Sequence, residues 1–144
     1  MAALAGVGME QALANAGPAV MIKDTNCSIV IVEVVELADR KFTNSDPPEG
    51  FVLVKESLRG DVKLEKLKAR WRPYPHGYDT PNPAGVKKWQ EAAFEGPPVV
   101  GRTAILLGRV LDDGHFEVMV RGELPIEKRE WVLKQLAHAK KTKP

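Results

Sequence analysis

The sequence predicts a mainly-β fold: a small five-stranded antiparallel barrel with a long proline-rich excursion and a C-terminal amphipathic helix. Three features carry that expectation. Short runs rich in Val, Ile and Phe recur between turn signals, which suits strands better than helices. Asp112-Asp113-Gly114 separates two apolar segments, and Asp and Gly tolerate the positive φ of a tight hairpin turn. Pro125 opens a stretch in which Ile126, Trp131, Val132, Leu133 and Leu136 cover one broad helical face.

At the N-terminus, Leu4 to Met9 is apolar and Ala12-Leu13-Ala14 has the small-x-small form that signal peptidase cleaves, although no basic residue precedes it. It reads as the tail of an export signal. The alternative is a short helix from Met9 to Ala16 stopped by Gly17-Pro18. Ser28 to Leu37, SIVIVEVVEL, is nearly all β-branched and reads as a buried strand. Ala38 to Gly50 contains Asn44-Ser45-Asp46-Pro47-Pro48 and reads as a surface loop. Phe51 to Leu58 follows as a second strand, paired antiparallel with the first.

Arg59-Gly60-Asp61 is a turn, and Val62 to Arg72 then alternates apolar and basic residues with one slip at Glu65-Lys66, as a β-bulge would produce. A helix through Leu64, Leu67 and Trp71 competes, but it would start directly after a glycine turn and end against Pro73. Pro73 to Pro98 holds six of the eleven prolines, so most of it cannot form a central strand. Within it, Pro83 is placed to open a short helix running to about Phe94. Val99 to Leu111 and His115 to Arg121 form the last hairpin, and the helix from Pro125 to about His138 ends among lysines that suit its negative pole.

With 144 residues the chain fits one core: an N-terminal segment 1–26, a barrel domain 27–138 and a basic tail 139–144. Hydrophobic residues at 44% and charged residues at 28% exclude the disordered class, and no apolar run is long enough to span a bilayer. The 21 cations against 19 anions leave a net charge of only +2, so any affinity for polyanions must come from local clustering. A single cysteine, Cys27, excludes an internal disulfide framework and a multi-cysteine metal site.

Five strands, one of them bulged, with a long excursion before the last hairpin and a closing helix, suggest a barrel of the oligonucleotide/oligosaccharide-binding (OB) type. The sequence also resembles the netrin-like, tissue-inhibitor-of-metalloproteinase-like group of such barrels. There an outward-facing strand end V-x-V-x-E-x-L-K/R-G-D precedes a V-G-x-x-x-x-L-x-L-G strand. Val52, Val54, Glu56, Leu58, Arg59, Gly60 and Asp61 match the first, and Val100, Gly101, Leu106 and Gly108 the second. The resemblance covers residues 27 to 136 and implies fold more than function. The animal inhibitors use a free N-terminal cysteine and several disulfides, whereas Cys27 is internal and alone, so protease inhibition is carried over to no residue.

Catalytic signals are sparse. His76, His115 and His138 share no metal-binding spacing and read as solvated residues, Asp112-Asp113 is explained by its turn, and no nucleophile elbow or phosphate loop is present. Cys27, at the edge of a buried strand, reads as an inert small hydrophobe. Arg59-Gly60-Asp61 spells the integrin tripeptide but coincides with an expected turn. Neither an enzyme nor a cofactor or metal site is expected.

Two surfaces remain. Tyr74, Tyr78, Trp89 and Phe94 offer rigid apolar area of the type that dominates protein interfaces. If Leu67, Ala69 and Trp71 face the core, Lys66, Lys68, Arg70 and Arg72 line an outer face at about 6.5–7 Å intervals. A row of this kind suits single-stranded nucleic acid, and equally it suits a strand kept charged against edge pairing. The leading expectation is a non-catalytic protein-binding or structural module, exported to the periplasm or cell exterior and otherwise cytoplasmic. The alternative is a nucleic-acid binder using the basic strand, which export would disfavour.

Overall fold

The computed structural model describes residues 18–43, 45–72, 94 and 97–142. Its elements are α1 (Pro18–Lys23), β1 (Ser28–Leu37), β2 (Glu49–Arg59), β3 (Lys66–Trp71), β4 (Thr103–Val110), β5 (Phe116–Pro125) and α2 (Arg129–Thr142), with a 3-10 turn over Ile126–Lys128 leading into α2. The strands close in the order β1-β2-β3-β5-β4, a five-stranded barrel compatible with an OB-like fold. No described helix is long and apolar enough to cross a membrane.

The barrel is of mixed orientation rather than purely antiparallel. β3 runs parallel to β5, with Ala69 opposite Phe116 and Trp71 opposite Val118, while the other four pairings are antiparallel. The reason is arithmetic. Strands that alternate in direction around a closed ring must be even in number, so five strands force at least one parallel contact.

β1 is apolar on both sides because both sides are buried. Val30, Val32 and Val34 point into the barrel with Val52, Val54, Ala69, Trp71, Ala104, Leu106, Phe116 and Val118. Ile29 and Ile31 point outward with Ile105 and Leu107, where Met21 and Ile22 of α1 and Val132 and Leu136 of α2 cover them. A strand buried on both faces loses the period-2 alternation that a half-buried strand shows.

Val52 and Val54 therefore face inward, contrary to the outward placement implied by the netrin-like pattern. The expected bulge at Glu65-Lys66 is absent from β3, which begins only at Lys66; residues 62–65 form the preceding turn, with Val62 buried. Register shifts occur instead between β1 and β2, at Ile29/Val30, Ile31/Val32 and Val34/Glu36, and between β4 and β5 at Leu106/Gly108. These bend the longest strands, which must turn most to close the ring.

The element ends also move. β4 starts at Thr103, four residues later than expected, because 98–102 turn into it, and β5 continues to Pro125. Pro18 opens α1, as a residue lacking an N–H can at a first helical position. The Met9 to Ala16 helix lies outside the described residues. α2 begins after the 3-10 turn and extends past His138 to Thr142. That start puts Val132 and Leu136, one helical turn apart, against the outer core, and leaves Trp131 only partly buried beside them.

Candidate functional site

The helices decide which barrel surface is left to solvent. α1 and α2 cover the outer side of β1 and β4, whereas the outer side of β2 and β3 carries exposed and half-buried residues. Along β3, Ala69 and Trp71 are buried and Leu67 is half-buried, while Lys66 and Lys68 are exposed and Arg70 is half-exposed. The expected parity of this strand holds.

The antiparallel register sets Leu53 opposite Lys66, Phe51 opposite Lys68 and Glu49 opposite Arg70. Phe51 and Leu53 are half-buried, so an apolar strip lies beside the basic row. The Lys66 ammonium lies 4.9 Å from the Phe51 ring centroid, within cation–π range. Arg70 Nε donates to Glu49 Oε2 at 3.2 Å, and Lys55 at the far end of the strip lies 3.6 Å from Glu33. Lys68 meets no carboxylate among the described residues. Arg72 lies one residue beyond β3 and is half-buried, its backbone N–H donating to the Val118 carbonyl.

Of the aromatic residues proposed for a protein interface, Tyr74, Tyr78 and Trp89 lie outside the described residues, as do His76 and the helix from Pro83. Phe94 is packed against the barrel core. Its N–H donates to the Glu123 carbonyl at 2.8 Å, and the Arg102 guanidinium lies 3.9 Å above its ring.

Sequence reasoning missed the centre of this node. Glu123 is buried in β5, accepting from Trp71 Nε1 at 3.1 Å and from Arg102 at 3.2 Å. Burial raises its carboxyl above the usual range, and the Arg102 charge and the two hydrogen bonds oppose that rise. The signal was a conflict of parity. Phe116 and Val118 face inward, so Glu123 reads as outward until the chain slips at Arg121, whose φ of 59° precedes the close-packed Gly122. After the slip Leu124 packs outward under the helices and Glu123 faces Trp71.

Among the described residues, Cys27, His115 and His138 lie in three different parts of the fold. Cys27 is buried, and desolvation pushes its thiol up to about 11 despite the nearby Arg59. His115 belongs to the hairpin turn, its N–H donating to Asp113 Oδ1 at 3.0 Å and its Nδ1 3.2 Å from Asp113 Oδ2, and His138 is exposed on α2. Arg59 of the Arg-Gly-Asp turn donates to the carbonyls of Cys27, Ile22 and Asp24 at 2.8, 2.6 and 2.7 Å, so its guanidinium is engaged within the fold. Among the described residues no three His, Cys, Asp or Glu side chains come together as a metal site. Comparison with known protein families and with curated protein sequences found no match to this chain.

Proposed function

We propose that the protein is a non-catalytic binding module whose contact surface is the outer face of β2 and β3. One observation carries this reading: the outer side of β1 and β4 is closed by α1 and α2, while Phe51 and Leu53 lie half-open among Lys55, Lys66, Lys68 and Arg70. A partly apolar strip beside a row of cations has the composition of an interface with an anionic partner. The raised thiol of Cys27 and the turn-bound His115 support a role without nucleophilic catalysis.

We also relate the barrel to the netrin-like group. The turn at Gly60, with φ of 102°, and the internal role of Arg59 give the matched positions of that pattern structural work to do. The test of function is a pull-down from source cells with intact protein, recovering both protein and nucleic acid. The wild type should retain a macromolecule that Lys66→Glu with Lys68→Glu loses. Equal retention by both proteins would refute this face as the contact surface.

A further inference from the structure

We propose that the β2–β3 face is a track for single-stranded nucleic acid, an inference that rests on reading this face as the contact surface. The sequence left open a bland account of the basic row, in which charges guard a sheet edge. The fold limits that account: β3 pairs with β2 from Lys66 to Arg70 and with β5 from Ala69 to Trp71, so the edge left without a β5 neighbour is only Lys66 to Lys68. An edge three residues long needs little guarding.

What the row presents instead is a repeat. Lys66, Lys68 and Arg70 point outward at every second residue, about 6.5–7 Å apart, which resembles the spacing of phosphates along an extended single strand. Neither Lys66 nor Lys68 is paired with a carboxylate among the described residues, and the Glu49 that pairs with Arg70 is half-exposed, where a phosphate can compete. The register adds the second requirement. Phe51 lies opposite Lys68 and under Lys66, so a base that displaced the Lys66 ammonium from that ring face would stack there with its phosphates within reach of both cations. Leu53, opposite Lys66, extends the apolar strip for the neighbouring base or sugar. A duplex hides its base faces and gains nothing from Phe51, so the site favours single strands.

The test is fluorescence anisotropy of a labelled oligothymidylate with the full chain. Dissociation constants of roughly 1–100 µM are expected near 50 mM salt, weakening as salt rises with a logarithmic slope of about −2, as three phosphate contacts on a single strand predict. Lys66→Glu with Lys68→Glu should abolish binding at an unchanged melting temperature. Phe51→Leu, which keeps apolar bulk and removes the ring, should weaken binding about tenfold, the range of one stacked base. No binding at low salt, or binding indifferent to the charge reversal, overturns the proposal. Equal affinity for a sulfated polysaccharide, with no response to Phe51→Leu, also overturns it while leaving the face as a contact surface. Export of the chain with cleavage after Ala14 does the same.

Discussion

Glu123 is a buried carboxylate held between an indole N–H and a guanidinium, and its energetics differ from those of a surface ion pair. Its pKa is raised in the fold, so the folded state binds the proton more tightly than the unfolded chain. The associated stability is fully present below the unfolded carboxyl value of 4.5 and is lost as pH rises through the higher folded value. The stability of the wild type relative to Glu123→Gln should therefore fall as pH rises above 4.5, read by urea unfolding at a series of pH values. An advantage that grows with pH would mean that the Arg102 pair outweighs burial. Cys27 gives a second check at this scale. With its thiol pushed up to about 11, it should react with a disulfide reagent at neutral pH only as fast as the protein unfolds.

At the scale of elements, α1 is six residues long and cannot hold itself together in water. Arg59 at the end of β2 fixes it by donating to three carbonyls around its C-terminal end, while Met21 and Ile22 fill the outer core. Arg59→Ala should cost about 1.5–3 kcal/mol in urea unfolding, the range for a charged hydrogen-bonding group. A negligible cost would show that burial of Met21 and Ile22 suffices. α2 makes a sharper comparison. Leu136→Ala should cost about 2–4 kcal/mol, and Trp131→Ala less than the roughly 3–5 kcal/mol of a fully buried tryptophan, because Trp131 is only partly covered. Gly108 in β4 tolerates no side chain at all: a Cβ there would overlap the Glu117 carbonyl oxygen of β5 and crowd the Phe116 ring. Gly108→Ala should therefore disrupt the β4–β5 contact and lower the melting temperature more than either helix substitution.

At the scale of the whole molecule, the described residues form two apolar clusters but one cooperative unit, because adjacent residues of β1 serve different clusters. Val30 belongs to the barrel interior and Ile31 to the layer under the helices, so neither layer can open without pulling β1 from the other. Unfolding followed by far-ultraviolet circular dichroism and by tryptophan fluorescence should give coincident transitions. A separate early loss of helix would show that α2 is only docked. The closed ring also fixes the charge distribution, since it places the basic strand across the barrel wall from the helical layer rather than at a sheet margin.

Local chemistry made much of this legible in advance. β-branched density placed β1 at Ser28–Leu37, Asp113 and Gly114 placed the last hairpin, and Pro125 placed the entry to the closing helical segment. The outward row of Lys66, Lys68 and Arg70 was legible too, because strand parity is a property of the chain alone. The parallel β3–β5 contact was not, since ring closure is a global count of strands that no segment encodes. Nor was the inward turn of Glu123, which depends on a slip at Arg121 visible only once β4 and β5 are paired. Phe51 became part of the basic face by the same route: sequence fixes which residues alternate along a strand, but only the register between strands decides which of them meet.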